Sequence, residues 1–342
     1  MEAILLAGGF GTRLRPLTYT RAKSLLPILN KPMIVHLIDT LPAEVTKVIL
    51  AVNYKKDQIE RYFKDHAIGK EVIVNDEPEP LGTGGAVKFA ERHITGPFLV
   101  MNSDIICSLD LTEMIQFHRR NNAVSTISLW PVENVAEFGV VDIRENGNVV
   151  GFIEKPKPED APSNLINAGA YCLEPAVLDY IETGRLVSME KKIFPQIIND
   201  TGKFFGFEFG GFWTDVGRIT SYIDANKLLL KHQKVPFVTG DNCTIFGRVT
   251  GSSIGDNVVI GESSRLESTV VFDQVTIGKN VVLDHCVIGE RCEIGDDAQL
   301  KYVVVGDHEH ISDHTVLENH MVWTQPVPVG YPAKQIGNVI GE

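Results

Sequence analysis

The sequence predicts an α/β domain with a mostly parallel sheet, followed by a left-handed parallel β-helix. From Ala3 to Met101, short apolar runs suited to buried strands alternate with helix-like segments, which is typical of an α/β domain. After Pro236, glycine, valine and isoleucine dominate, and aliphatic residues return every 17 positions. A chain of 342 residues is expected to form two domains. We place them at 1–235 and 236–325, with a C-terminal tail at 326–342.

Four apolar runs mark strands of the first domain. They are Ala3–Ala7, Lys47–Val52, Glu71–Val74 and Pro97–Met101. Ligands of open α/β sheets bind at the carboxyl ends of parallel strands. The glycines that follow the first run and Asp104 after the fourth therefore indicate a binding site at this edge.

The loop after the first predicted strand is rich in glycine and arginine, with Gly8, Gly9 and Gly11 preceding Arg13 and Arg15. Glycine lets backbone N–H groups approach an anion, and arginine supplies fixed positive charge, so the loop predicts phosphate binding. No Gly-Lys pair is followed by Ser or Thr as in a P-loop, and G-G-x-G is not a dinucleotide fingerprint. The alternative is a tight turn with solvated arginines.

The 17-residue period gives each predicted coil three inward positions separated by 6, 6 and 5 residues. These positions are Phe237, Cys243 and Val249; Ile254, Ile260 and Leu266; Val271, Ile277 and Leu283; Ile288, Ile294 and Leu300; and Val305, Ile311 and Leu317. Such spacing predicts triangular coils of hexapeptide repeats, with glycines such as Gly255 and Gly261 at the turns. An antiparallel sandwich does not explain why all three inward positions are displaced by the same 17 residues from one coil to the next.

Composition limits the classes of partner and compartment. A formal net charge of -12 argues against nucleic acid and anionic membranes as main partners. There is no run of about 18 apolar residues and no signal-peptide pattern, so we expect a cytoplasmic protein. Five cysteines without a C-x-x-C pair indicate buried reduced thiols rather than disulfides or a zinc site.

Seven segments in order resemble the signature of the sugar-1-phosphate nucleotidyltransferases, the nucleotide-sugar pyrophosphorylases. They are L-A-G-G-F-G-T-R-L-R-P-L-T (6–18), E-P-L-G-T-G-G-A (79–86), N-S-D (102–104), F-G-V-V (138–141), F-I-E-K-P (152–156), I-N-A-G-A-Y (166–171) and F-W-T-D-V-G (212–217). Within this family the likeness is closest to the mannose-1-phosphate guanylyltransferases, as in N-S-D-I-I-C and S-M-E-K-K-I-F-P. The loop Leu81–Ala86 departs from their L-G-T-A-G-P pattern, so the resemblance does not decide which nucleotide base is bound.

The resemblance implies a Rossmann-like catalytic domain that joins a sugar-1-phosphate to a nucleoside triphosphate and releases pyrophosphate. The favoured pair is GTP with mannose-1-phosphate, and the alternative is glucose-1-phosphate with UTP or dTTP. Such a transfer needs the two substrates to be positioned and the negative charge of their phosphates to be neutralised. The resemblance implies that Mg²⁺ bound to Asp104 and Asp215 contributes to this neutralisation. From the residues alone, Asp104 as a helix cap and Asp215 as a turn residue remain alternatives.

The resemblance also implies residue roles. Arg13 and Lys23 are assigned to the triphosphate, whereas Arg15 is as well explained by a structural ion pair. The predicted nucleotide-binding residues are Leu6, Ala7, Gly8, Gly9, Gly11, Thr12, Gly82, Thr83 and Gly84. The predicted sugar-phosphate residues are Gly139, Glu154, Lys155, Asn167, Gly169 and Lys191.

The role of the β-helix stays open at this level. Assembly into a homo-oligomer is favoured, and acyl transfer is the rival because Val329–Lys334 resembles the G-x-P-A-K ending of hexapeptide acyltransferases. Four histidines of the last coil (His308, His310, His314 and His320) are interpreted as solvated turn residues rather than a general base or metal ligands. A non-catalytic sensor of nucleotide sugars is a further alternative.

Overall fold

The computed structural model describes residues 1–328. These form two compact units that differ from a simple division along the chain. The first comprises Met1–Gly9 and His36–Trp213, and the second comprises Phe10–Val35 and the chain from Thr214 onward. The second unit therefore contains an early segment of the chain as well as the β-helix.

The helices and strands follow one another closely along both units. The helices are α1 (Leu17–Thr20), α2 (Met33–Thr40), α3 (Lys56–Asp65), α4 (Gly82–Phe89), α5 (Leu111–Arg120), α6 (Phe194–Thr201) and α7 (Ile219–Gln233). The strands up to α7 are β1 (Glu2–Leu6), β2 (Pro27–Ile28), β3 (Lys31–Pro32), β4 (Lys47–Val52), β5 (Glu71–Asp76), β6 (Phe98–Asn102), β7 (Ile105–Cys107), β8 (Ser125–Pro131), β9 (Gly139–Ile143), β10 (Val149–Glu154), β11 (Leu165–Leu173), β12 (Phe204–Glu208) and β13 (Trp213–Asp215). Those after α7 are β14 (Phe237–Thr239), β15 (Thr244–Ile245), β16 (Arg248–Thr250), β17 (Ser252–Ile254), β18 (Val259–Ile260), β19 (Arg265–Glu267), β20 (Val270–Val271), β21 (Thr276–Ile277), β22 (Val282–Asp284), β23 (Val287–Ile288), β24 (Glu293–Ile294), β25 (Gln299–Val305), β26 (His310–Ile311) and β27 (Val316–Val322).

The first unit is built on a nine-stranded sheet with the order β10-β9-β11-β6-β1-β4-β5, and β8 pairs with β11 and β12. Strands β6, β1, β4 and β5 are parallel, which confirms the predicted α/β class. Leu6 lies opposite both Ala51 and Asn102, so the carboxyl ends of these strands are level. The buried residues Ile4, Ile49 and Val100 on these strands are part of the main core.

The β-helix of the second unit repeats with the predicted period. Ile254 pairs with Val271, Val271 with Ile288, and Ile288 with Val305, each a step of 17 residues. Twelve of the fifteen predicted inward residues are buried in one core cluster. The other three, Phe237, Cys243 and Leu317, are partly buried and pack against it. The parallel β-helix is therefore confirmed.

The corners of the coils use residues other than the predicted glycines. Positive φ angles recur every 17 residues in three series: Asn257, Gln274, Arg291 and His308; Ser263, Asn280, Asp297 and His314; and Ser268, His285, Tyr302 and Asn319. Gly255 and Gly261 are needed for a different reason. A Cβ on Gly255 would lie 2.7 Å from the carbonyl carbon of Phe272, and one on Gly261 would lie 2.5 Å from the oxygen of Gly278. These glycines allow close stacking of neighbouring coils.

The cysteines and histidines singled out in the sequence have ordinary environments. All five cysteines are free thiols, and Cys172, Cys286 and Cys292 are buried. Burial raises the pKa of the Cys286 thiol to about 12, which makes it unreactive. The four histidines of the last coil are exposed, as the solvated interpretation predicted. No helix among residues 1–328 is long and apolar enough to cross a membrane.

Candidate active site

A cavity of about 360 Å³ opens at the carboxyl ends of β1, β4, β5 and β6 in the first unit. It is lined by Leu6, Gly8, Gly9, Ala51, Asn53, Glu77, Pro80, Leu81, Gly82, Thr83, Ala86, Asn102 and Asp104. The predicted nucleotide-binding residues Leu6, Gly8, Gly9, Gly82 and Thr83 and the predicted metal ligand Asp104 thus share one cavity. A Cβ built on Gly9 meets no atom within 4 Å, so the space beside this glycine is open for a ligand.

Asp104 is held at this edge by the end of β6. Ser103 donates from its hydroxyl to the Leu6 carbonyl over 2.8 Å, which fixes the turn to the end of β1. Strand β7 follows Asp104 at once, so Asp104 does not cap a helix, and that alternative is wrong. The cap of α5 is Asp110, whose carboxylate accepts a 3.0 Å hydrogen bond from the Glu113 N–H. Asp104 is therefore not needed to cap α5.

The glycine-rich loop forms the first turn of α4 and packs on a neighbouring segment. Gly82 has φ 71° and borders the cavity. Gly84 does not line the cavity; its N–H donates to the Val187 carbonyl over 2.8 Å, and a Cβ there would lie 3.2 Å from that oxygen. Ala7 is likewise turned inward, and its N–H donates to the Ala51 carbonyl. Of the predicted residues in this loop, Gly82 and Thr83 thus line the cavity.

Glu77 is a buried carboxylate in the cavity wall that the sequence reasoning missed. It follows β5 directly, is 6% exposed, and accepts a 3.3 Å hydrogen bond from the Leu81 N–H. Burial raises the pKa of Glu77, and the hydrogen bond from Leu81 opposes that rise. In the sequence, Glu77 stands three residues beyond the predicted strand end at Val74, in a polar stretch that does not distinguish it from its neighbours.

Four of the six predicted sugar-phosphate residues lie on β9, β10 and β11 of the same unit: Gly139, Glu154, Asn167 and Gly169. The Asn167 side chain accepts from the Gly169 N–H over 3.0 Å and donates to the Tyr171 hydroxyl over 2.8 Å. Gly169 has φ 83°, and a Cβ there would lie 2.8 Å from Nδ2 of Asn102. The structure thus brings Asn167 and Gly169 beside Asn102, which also lines the cavity.

Glu154 and Gly139 lie opposite each other on β10 and β9. A Cβ on Gly139 would lie 2.9 Å from a Glu154 carboxylate oxygen, so this glycine leaves room for that side chain. Burial raises the pKa of Glu154, and the charge of Glu190 raises it further, whereas Lys155 and Lys191 lower it. The region therefore combines two carboxylates with two lysines, a set suited to sugar hydroxyls and a phosphate.

Glu190 is a second residue that the sequence reasoning did not assign. Its Oε2 accepts hydrogen bonds from the Thr83 hydroxyl at 2.7 Å and the Ser188 hydroxyl at 2.6 Å. It lies in a π-helical turn, Met189–Ile193, a geometry frequent at functional sites. Glu190 therefore connects the cavity residue Thr83 with the surroundings of Glu154.

Lys155 adopts a backbone conformation unusual for its residue type. Its φ is 51°, and its N–H donates to the Phe138 carbonyl over 2.9 Å. Residues other than glycine adopt this region at an energetic cost, and such residues cluster at functional sites. Lys155 and Lys191 are both exposed.

The remaining predicted residues lie in the second unit. Gly11 has φ 63°, its carbonyl accepts from the Thr18 hydroxyl over 2.9 Å, and a Cβ there would lie 3.2 Å from the Cβ of Lys23. Thr12 and Arg13 follow in a short 3₁₀ turn, with Arg13 exposed. Arg15 is instead buried, with its guanidinium 5.4 Å from the Tyr19 ring centroid.

Asp215 ends β13 and is separated from Gly217 by one residue. A Cβ on Gly217 would lie 2.6 Å from Oδ2 of Asp215 and 4.0 Å from a terminal guanidinium nitrogen of Arg13. In the second unit, the carboxylate of Asp215 and the guanidinium of Arg13 thus both lie beside Gly217. Any larger residue at 217 would displace the Asp215 carboxylate.

The donor set fits a magnesium ion that is shared with a substrate. Mg²⁺ in phosphoryl-transfer sites takes one or two carboxylates, and water and phosphate oxygens complete its octahedron. Within residues 1–328 no three His, Cys, Asp or Glu side chains are grouped to hold a metal by themselves. Asp104 on the cavity wall would supply one such carboxylate to an ion that arrives with phosphates.

Two family models of known proteins together match nearly the whole described chain. Residues 2–232 match the family model described as nucleotidyl transferase, and residues 237–327 match the GMPPB C-terminal domain. The chain is 39% identical over 272 residues to probable mannose-1-phosphate guanylyltransferase 1 of Oryza sativa subsp. japonica. That match covers 77% of this chain and 73% of the rice protein.

Solved structures share the α/β fold. HddC from Yersinia pseudotuberculosis is similar with a TM-score of 0.57 and 30% identity, over 67% of this chain and 99% of HddC. A UDP-glucose pyrophosphorylase in complex with UDP-glucose is similar with a TM-score of 0.60 and 26% identity, over 68% of this chain and 98% of that one.

Proposed function

The chain belongs to the nucleotidyl transferase family, and from that premise we propose that it transfers GMP from GTP to mannose-1-phosphate, forming GDP-mannose. The observation that carries the proposal is the cavity where four parallel strands end, lined by glycines, Asp104 and the buried carboxylate of Glu77. Relatives named mannose-1-phosphate guanylyltransferase support the substrate pair.

The proposed reaction is an in-line displacement without a protein nucleophile. An oxygen of the sugar phosphate bonds to the α-phosphorus of GTP, and the bond from that phosphorus to the β-phosphate bridging oxygen breaks. Pyrophosphate leaves with the bonding electrons. The residues of the chain position the triphosphate and the sugar phosphate and neutralise their negative charge.

We assign the phosphate-handling residues as follows. Gly8 and Gly9 give the nucleotide phosphates access to the backbone, and Arg13 and Lys23 bind the β- and γ-phosphates that leave. Lys155 and Lys191 hold the phosphate of the sugar. Asp104 and Asp215 would hold Mg²⁺, which when bound withdraws charge from the phosphate oxygens.

We propose that Glu77 reads the base. Guanine presents two adjacent donors, N1–H and the exocyclic amine, which match the two oxygens of one carboxylate. Uracil and thymine present one N–H between two carbonyl oxygens, which a carboxylate would repel. The burial of Glu77 in the cavity wall makes this discrimination strong, since water does not screen it.

The replacement Glu77→Gln is expected to lower kcat/KM for GTP by about 10- to 100-fold, because the amide cannot accept both guanine donors. Since the pKa of Glu77 is raised, the wild-type KM for GTP should also rise as the pH falls towards that pKa. Initial rates of pyrophosphate release from pH 5 to 8 measure both effects. Exposed Glu79 on the same loop provides the control, and an equal loss in Glu79→Gln would contradict base reading by Glu77.

We assign the sugar ring to the region of Asn167, Gly169, Glu154 and Gly139. Glu154 accepts hydrogen bonds from sugar hydroxyls; burial and the charge of Glu190 raise its pKa, and the charges of Lys155 and Lys191 oppose that rise. Glu190 ties this region to Thr83 and is proposed as a positioning residue. Pyrophosphate release from GTP that requires both mannose-1-phosphate and Mg²⁺ tests the whole assignment.

The second candidate is the same transfer to glucose-1-phosphate from UTP or dTTP. It is favoured by the similarity to a UDP-glucose pyrophosphorylase and by the unusual loop Leu81–Ala86. Acyl transfer by the β-helix has less support, because its histidines are exposed and the G-x-P-A-K segment lies outside the described residues. We further propose a cytoplasmic homo-oligomer, with small-molecule substrates and with domains as predicted at 1–235 and 236–325.

A further inference from the structure

The segment Phe10–Val35 belongs by its contacts to the unit of the β-helix, although the sequence places it in the first domain. This segment carries Arg13 and Lys23, the residues proposed to bind the triphosphate. Its side chains contact successive coils of the β-helix at several points. The β-helix therefore contacts the segment that carries both of these cations.

Arg21 forms the first of these contacts. Its Nη2 donates to Oε2 of Glu290 over 2.6 Å, and its guanidinium carbon lies 4.8 Å from the ring centroid of Phe272. The two charged side chains are only 21% and 24% exposed, so water screens the pair weakly. Arg21 is thus held between two neighbouring coils, two residues before Lys23.

Thr20 and Tyr19 extend the contact to the next coils. The Thr20 hydroxyl donates to Oδ2 of Asp307 over 2.6 Å, while Oδ1 of Asp307 accepts from the Glu290 N–H over 2.7 Å. The ring of Tyr19 lies 5.1 Å from that of Trp323. Asp307 therefore stabilises a coil corner with one oxygen and holds the segment with the other.

Glu290 departs from a regular pattern in a way that suits this contact. The corner positions 256, 273 and 307 carry aspartates, and each accepts a hydrogen bond from a backbone N–H of the preceding coil: Asp241, Asp256 and Glu290 respectively. Position 290 of this series carries glutamate, whose side chain is one methylene longer. Its carboxylate reaches Arg21 instead.

The far end of the segment is anchored as well. Nδ2 of Asn30 donates to the Ile254 carbonyl over 2.6 Å, and the Leu29 N–H donates to Oδ1 of Asn226 over 3.0 Å. Before the first anchor, the Thr18 hydroxyl donates to the Gly11 carbonyl at the start of the turn that carries Arg13. Lys23 therefore lies between two anchored stretches, and the turn with Arg13 is tied to the residue that directly precedes the first of them.

We propose that Glu290 is a positioning residue for nucleotide binding: through Arg21 it holds the segment that presents Arg13 and Lys23 to the triphosphate. This inference rests on the proposed function for the roles of those two cations. A displacement of about 1 Å in such a group reduces rates by up to about 100-fold. The β-helix is thereby coupled to one substrate, the triphosphate, and not to the sugar phosphate.

The test uses the full chain with Glu290→Gln and Glu290→Asp. Aspartate is the residue found at positions 256, 273 and 307 of the same series, and it keeps the negative charge, so we expect the coil to stay folded. Its side chain is one methylene shorter than that of glutamate and does not reach Arg21. Both variants should raise the KM for GTP by roughly tenfold and leave the KM for mannose-1-phosphate unchanged. The control is Glu262→Gln, which breaks the exposed 3.2 Å pair with Lys279 between coils and should change neither constant.

Calorimetric binding of inorganic pyrophosphate with Mg²⁺ separates this inference from the proposed function. Weaker pyrophosphate binding in both Glu290 variants supports positioning, whatever sugar or base the enzyme uses. Unchanged pyrophosphate binding and KM for GTP, or an equal rise in both KM values, would overturn it. Absence of pyrophosphate binding to the wild type would also overturn it.

Discussion

The variant Asp104→Asn is expected to lower kcat by about 10³-fold, or roughly 4 kcal/mol of transition-state stabilisation. Asparagine keeps the shape of the side chain but removes the charge that would hold Mg²⁺ against the phosphates. The melting temperature should hardly change, because Asp104 caps no helix and lies in the wall of an open cavity. Asp215→Asn should behave in the same way.

A nearby aspartate gives the opposite pattern and serves as the control. Asp110 caps α5 through the Glu113 N–H, so Asp110→Ala should cost about 1 kcal/mol of folding stability and leave kcat intact. Steady-state rates over a Mg²⁺ titration and thermal melts of the variants measure both quantities. Near-normal Mg²⁺-dependent turnover in Asp104→Asn would exclude it as a metal ligand.

The second large effect is expected for Arg13→Gln, with a loss of about 10²- to 10³-fold in kcat/KM for the nucleotide. An arginine that neutralises charge on a transferring phosphate group can contribute at least this much. Arg13 is exposed, so the substitution should not weaken the fold. Single-turnover rates with saturating and limiting GTP separate the effect on binding from the effect on chemistry.

Arg13→Lys distinguishes geometry from charge at this position. Lysine retains one positive charge without the planar fork, so it should recover only part of the lost activity. Arg265→Gln, on an exposed edge of the β-helix, is the matched control and should be neutral. Full activity in Arg13→Gln would remove this residue from the proposed triphosphate site.

Much of the fold could be predicted because its periodicities are local. Apolar runs predicted three of the four parallel strands to within one residue at each end, and the fourth, Glu71–Asp76, extends two residues beyond its predicted end. The 17-residue period fixed the inward positions of the β-helix before any contact was known. The role of glycines such as Gly255 and Gly261 was not predictable, because close stacking of coils and a positive φ angle both favour glycine.

The site was predictable only where a motif marked it. Asp104 and Glu154 stand in short recognisable segments, and the structure places Asp104 in the cavity wall. Glu77 stands in an acidic stretch with Asp76 and Glu79, and only burial distinguishes it from those exposed neighbours. Sequence patterns do not report burial of single charged residues in loops.

The contacts of the segment Phe10–Val35 with the β-helix could not be predicted, for a physical reason. The pair Arg21–Glu290 joins residues 269 positions apart, and each residue alone is typical of an exposed charged position. Local patterns carry no signal for such a contact. The one sequence difference at position 290 is a glutamate where positions 256, 273 and 307 of the same series carry aspartates.

A competition experiment tests the central claim most directly. The wild-type protein is given equal concentrations of GTP, UTP, dTTP and ATP with mannose-1-phosphate and glucose-1-phosphate in one reaction with Mg²⁺, and the early products are identified by mass. Product ratios then report the ratios of kcat/KM. We predict GDP-mannose as the dominant product, with one pyrophosphate released for each molecule formed. A dominant uridine or thymidine sugar, or GTP breakdown without a nucleotide sugar, would contradict the account.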